Sequence, residues 1–114
     1  MGLFKEARKS GGPFQFRVSD AVEVPLRGYL LRLKLLSGDP SLSDIGPGKS
    51  IRLRTPSGAE RVVPIKDYSV VQGVASQKRL DRTRELDVVI DTPDAVIDGQ
   101  VVDIGWIVMR EQGP

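Results

Sequence analysis

Neither histidine nor cysteine occurs among the 114 residues of this chain. The side chain that titrates nearest neutral pH, the thiolate nucleophile and the usual nitrogen and sulfur ligands of zinc are therefore missing together. A noncatalytic binding module is favoured over an enzyme, with no catalytic residues, no cofactor and no metal. Without cysteine there is no disulfide, so a reducing compartment is permitted and a cytoplasmic location is expected. Long apolar runs are missing too. Nowhere do about eighteen apolar residues follow one another, and Met1-Gly2-Leu3-Phe4 passes straight into Lys5, Glu6, Arg8 and Lys9. Neither a membrane span nor a signal peptide is predicted. Ala7 stands where a myristoylation signal needs Ser or Thr.

Aromatics are scarce: three Phe, two Tyr and one Trp. The core must then be mostly aliphatic, and the stacking platforms that hold single-stranded nucleic acid have few candidates. What is abundant is the composition of an ordinary globular domain, with 39% hydrophobic and 28% charged residues. Residues 1–13 read as a flexible N-terminal tail broken by Ser10-Gly11-Gly12-Pro13, residues 14–110 as one domain, and residues 111–114 as a C-terminal tail.

Within the domain, short Val/Ile/Leu-rich segments alternate with turn residues. Phe14, Phe16 and Val18 alternate with Gln15, Arg17 and Ser19, the period of a strand with one buried face, and Asp20 is expected to end it. After Gly28 a second strand places Leu31, Leu33 and Leu35 on one face and Arg32 and Lys34 on the other. Residues 39–44 form a polar loop, and Ile51–Thr55 and Glu60–Ile65 form a hairpin reversing at Ser57-Gly58. Pro64 predicts an edge strand or a bulge there, and Tyr68–Val71 extends the return. Residues 77–85 read as a charged loop between strands. Leu86–Ile90 is a strand, and Val101–Met109 is a terminal strand around a core Trp106, with Ile104 and Val108 beside it. Six or seven short strands with frequent turns and no long helix predict an all-β fold, a small closed antiparallel barrel.

The order of these elements resembles the second domain of translational GTPases of the elongation factor Tu type. The residues that carry the likeness are Phe16-Arg17-Val18-Ser19-Asp20, Arg27-Gly28, Leu30–Leu36, Gly38 and Ile45-Gly46-Pro47-Gly48-Lys49-Ser50-Ile51-Arg52-Leu53. Leu86–Ile90 followed by Ile97-Asp98-Gly99-Gln100-Val101-Val102 completes it. Lys49 departs from the family, which usually has Asp there, and the loop at residues 39–44 is longer than the family turn. No Gly-x-x-x-x-Gly-Lys-Ser/Thr motif occurs, so the resemblance implies the barrel without its GTPase domain and without a nucleotide. It also implies a translation-related role on RNA, a ribosomal surface or a protein partner.

Charge is unevenly divided along the sequence. Residues 1–57 hold ten Lys/Arg against five Asp/Glu, and residues 58–114 hold seven against ten, within a net charge of +2. Arg27, Arg52, Arg54, Lys78, Arg79, Arg82 and Arg84 are the candidate contacts to phosphate or partner. Asp87, Asp91, Asp94, Asp98 and Asp103 are expected on solvent-facing positions rather than paired in a cleft. The alternative function is a structural or assembly subunit that forms a homodimer through β-strand edges, including the terminal strand.

Overall fold

Alternating burial along the first two strands sets the architecture. The computed structural model describes residues 12–68 and 77–111. β1 (Phe14–Val24) and β2 (Gly28–Gly38) form a long antiparallel hairpin. Phe14, Phe16, Val18, Leu31, Leu33 and Leu35 are buried on one face, as the period of two requires, while Arg17 and Lys34 are exposed on the other. Leu31, Leu33 and Leu35 are strand residues despite their helix propensity because β1 and the later strand Glu85–Ile90 pair with β2 on both sides and the core takes up their side chains. β1 does not stop at Asp20. The register shifts between Val18 and Asp20, Ser19 Oγ donates to Arg32 O at 3.2 Å, and pairing resumes with Asp20 opposite Arg32. A bulge thus absorbs one residue and lets the strand continue.

The predicted second hairpin is present as β3 (Ser50–Arg54) and β4 (Glu60–Pro64). β5 (Asp67–Tyr68), β6 (Glu85–Ile90), β7 (Val96–Ile97), β8 (Gln100–Val101) and β9 (Ile107–Arg110) follow. Seven strands make one antiparallel half-barrel sheet in the order β4-β3-β9-β1-β2-β6-β5, and β7 and β8 form a small separate hairpin. Pro64 lies on an edge strand, where its missing N–H is tolerated. The remainder of the predicted return, residues 69–71, lies outside the described residues. Edge strands β4 and β5 are consecutive, with only Ile65 and Lys66 between them; Ile65 N–H donates to Lys49 O and Lys66 N–H to Val89 O, each at 2.8 Å. The inner face packs Phe16, Leu31, Leu33, Ile51, Leu53, Val88 and Val108, with Ile45, Leu80 and Trp106 joining the same core.

Further expectations are corrected. The charged segment is not a loop: residues Gln77–Thr83 form a helix, α1, held by buried Leu80. One apolar anchor in a run of charges gave no periodicity to read. Arg84, at φ +61°, ends the helix, donating its N–H to Leu80 O and accepting Leu35 N–H from β2. The predicted strand from Val101 to Met109 is interrupted by a turn at Ile104-Gly105, where Gly105 adopts φ +98°. Trp106 is buried as expected, but Ile104 is 53% exposed instead of packing beside Val108. β9 moreover lies between β3 and β1, so the terminal strand has no free edge. Among the described residues no helix is long and apolar enough to cross a membrane.

Candidate functional site

The outer face of the sheet collects cations that the sequence scatters. Register places Glu60, Arg54, Ile107, Arg17, Lys34 and Glu85 in one row across β4, β3, β9, β1, β2 and β6. Neighbouring strands are about 4.8 Å apart, so Arg17 and Lys34 are direct neighbours and Arg54 is two strands away. Arg52 sits one row over, opposite Met109, and Arg32 lies between Asp20 and Asp87. Lys34 Nζ donates to Thr83 O at 3.4 Å, which joins this face to the C-terminal end of α1 and to the exposed Arg84.

Most of these cations have anions. Arg52 Nη1 donates to Glu60 Oε1 at 3.2 Å and Arg54 Nε to Glu60 Oε2 at 2.7 Å. Arg32 grips Asp87 with two hydrogen bonds, at 3.1 and 3.2 Å, which raise the guanidinium pKa further. Lys34 reaches Glu85 at 3.9 Å. Arg17 is different: it is exposed at the centre of the row and has no ionic or hydrogen-bond partner among the described residues.

The seven cations singled out from sequence do not form one cluster. Arg52 and Arg54 lie on the outer face, and Lys78, Arg79, Arg82 and Arg84 lie on or just beyond α1, with Arg79 half-buried and engaged. Arg27 sits at the β1–β2 turn, seven residues along β2 from Lys34 and so about 24 Å away; its carbonyl accepts from Lys66 Nζ at 3.0 Å. Arg17 and Lys34 were missed as site residues. Their outward alternation is visible in sequence, but their adjacency is a property of the strand register.

The acidic candidates are spread over separate partners. Asp87 takes Arg32, Asp91 takes Lys66 at 3.2 Å, and Asp94 takes Arg61 at 3.8 Å. Asp103 Oδ1 accepts Ile104 N–H, and Asp98 holds a turn at φ +51°. Among the described residues no group of three or more acidic side chains is placed to hold a metal ion.

Glu60 has the clearest electrostatic signature. The hydrogen bond from Arg54 and the charges of Arg54 and Arg52 hold its carboxyl below the ordinary value of 4.5. A depressed carboxylate stabilises the fold above its unfolded pKa, and that contribution is lost as pH falls through the folded value. In urea titrations, the wild-type midpoint should therefore drop more steeply than that of Glu60→Gln on acidification below about pH 4.5; parallel curves would show that the pair is inert. No protein-family model matches this chain, and no curated protein matches it.

Proposed function

We propose that this chain is a noncatalytic binding module, a small β-barrel similar to the second domain of elongation factor Tu type GTPases, that holds the phosphate backbone of RNA in a translation-related setting. One observation carries the reading: Arg54, Arg17 and Lys34 share a row on the outer face that runs on to Arg84, with Arg17 left without an anion among the described residues. Backbone phosphates are the chemistry such a row fits, since each neutralised phosphate releases counterions and adds a salt-dependent increment to binding. Barrel closure is supported by the connection at Ile65-Lys66, which joins the two edge strands β4 and β5 and gives its two N–H groups to Lys49, just before β3, and to Val89 in β6.

Fluorescence anisotropy with a structured RNA at about 50 and about 200 mM salt tests the proposal. Affinity should fall with salt. Arg17→Ala should lower the slope of log K against log salt by about one. Glu60→Gln should tighten binding and steepen that slope, because Arg52 and Arg54 lose the anion that neutralises them. Salt-insensitive binding, no binding, or an affinity indifferent to both substitutions overturns the reading.

A further inference from the structure

β1 is only half covered on the side away from β2. β9 pairs with Gln15, Phe16 and Arg17, and Val18 closes the pairing by accepting Gly105 N–H and donating to Trp106 O, each at 2.8 Å. Beyond that point no described strand flanks residues 19–24 on that side. The direction of the backbone groups follows from alternation. Leu35 gives its N–H to Arg84 O, away from β1, so Lys34, Arg32, Leu30 and Gly28 turn theirs toward β1. Leu30 and Gly28 thereby engage Val22 and Val24, and the groups of Ala21 and Glu23 point outward from the sheet. Ala21 N–H is taken by Asp20 Oδ1 at 2.9 Å. Ala21 C=O, Glu23 N–H and Glu23 C=O have no partner among the described residues.

Exposed apolar side chains gather around this edge. Val22 is 48% exposed, and Leu26 is fully exposed at φ +68°, in a turn closed by Arg27 N–H to Val24 O at 3.0 Å. The central position that Leu26 occupies favours glycine or asparagine, so a leucine there bears a backbone penalty with no burial within its own chain to offset it. Ile104, next to the residue that binds Val18, is also half exposed.

We infer that this half-edge pairs with the same edge of a second copy, antiparallel about a two-fold axis at Val22. Two carbonyls and one N–H need both donors and acceptors, which a polypeptide backbone supplies and a phosphodiester does not. The register is self-complementary: Ala21 faces Glu23 of the other copy, each Glu23 N–H donates to the opposing Ala21 O, and Val22 meets Val22 across the axis. Each Ala21 N–H is placed to leave Asp20 for the opposing Glu23 O. Four residues from the axis, Leu26 of one copy comes level with Val18 of the other, beside the exposed Ile104. The surface is thus isologous, as two-fold dimers require, and it lies along β1 beyond the Ser19 bulge that separates Val22 from Arg17.

Sedimentation equilibrium and light scattering over a concentration series test this. Mass should rise toward twice the chain mass, and the Glu23 amide should gain hydrogen-exchange protection in step with it. Glu23→Pro removes the donor, and Val22→Arg sets like charges against each other across the axis; each should weaken association at least about tenfold. Leu26→Gly should weaken association while leaving the melting point of the dilute monomer unchanged or raised, a pairing of effects that simple misfolding does not produce. A monomer at all concentrations, or a dimer indifferent to Glu23→Pro and Val22→Arg, overturns the inference.

Discussion

Replacing Gly28 with alanine should lower the stability of this protein by roughly 3 kcal/mol or more, on the order of 10 °C in melting temperature. Two effects combine at this position. Gly28 adopts φ +128°, outside the range of ordinary L side chains, and an added Cβ would stand 2.1 Å from the carbonyl oxygen of Ile90 and 3.1 Å from its carbon. The obstacle is the backbone of β6, which is itself paired to Tyr29 opposite Ile90, so relief would mean parting β2 from β6 where both bury their side chains. Gly48 provides the control. Its φ is also positive, at +87°, but a Cβ there meets nothing within 4 Å, so Gly48→Ala should cost only the conformational penalty of about 1 kcal/mol. Thermal melts of the two variants decide the matter; equal losses would mean that the Ile90 contact relaxes without cost.

That contrast marks how far the sequence could be read. Alternation at Phe14-Phe16-Val18 and at Leu31-Leu33-Leu35 was legible because one face of each strand is buried, and so was the Ser57-Gly58 reversal. The bulge at Ser19 was not, since an extra residue in a strand looks locally like a strand end. Helix α1 was hidden for a different reason: with seven residues and one buried leucine it is stabilised by docking Leu80 rather than by any pattern of its own. The site was least legible of all. Individual cations are visible anywhere in a sequence, but Arg54, Arg17 and Lys34 become neighbours only through pairing between β3, β9, β1 and β2, over separations that no local reading spans.

Phe16 ties those two levels together, and Phe16→Ala should cost about 3–5 kcal/mol. Its ring is fully buried, 5.6 Å from Phe14 in an edge-to-face arrangement, and its Cα partners are Leu35 on β2 and Val108 on β9. Against a total stability of roughly 5–15 kcal/mol for a domain, one truncation removes a large share. The consequence reaches the opposite face because a strand has only two sides: the burial of Phe16 inward is what holds Arg17 outward between Ile107 and Lys34. Phe16→Leu, which keeps most of the apolar volume, should retain both the fold and salt-dependent RNA binding. Phe16→Ala should lose binding in parallel with native structure as temperature rises, so that anisotropy and circular dichroism melt together. If the alanine variant stays folded by circular dichroism yet binds no RNA, the ring positions Arg17 without being needed for the fold; if it unfolds in the dichroism while salt-dependent binding persists, the affinity resides in the charged chain and not in the ordered row.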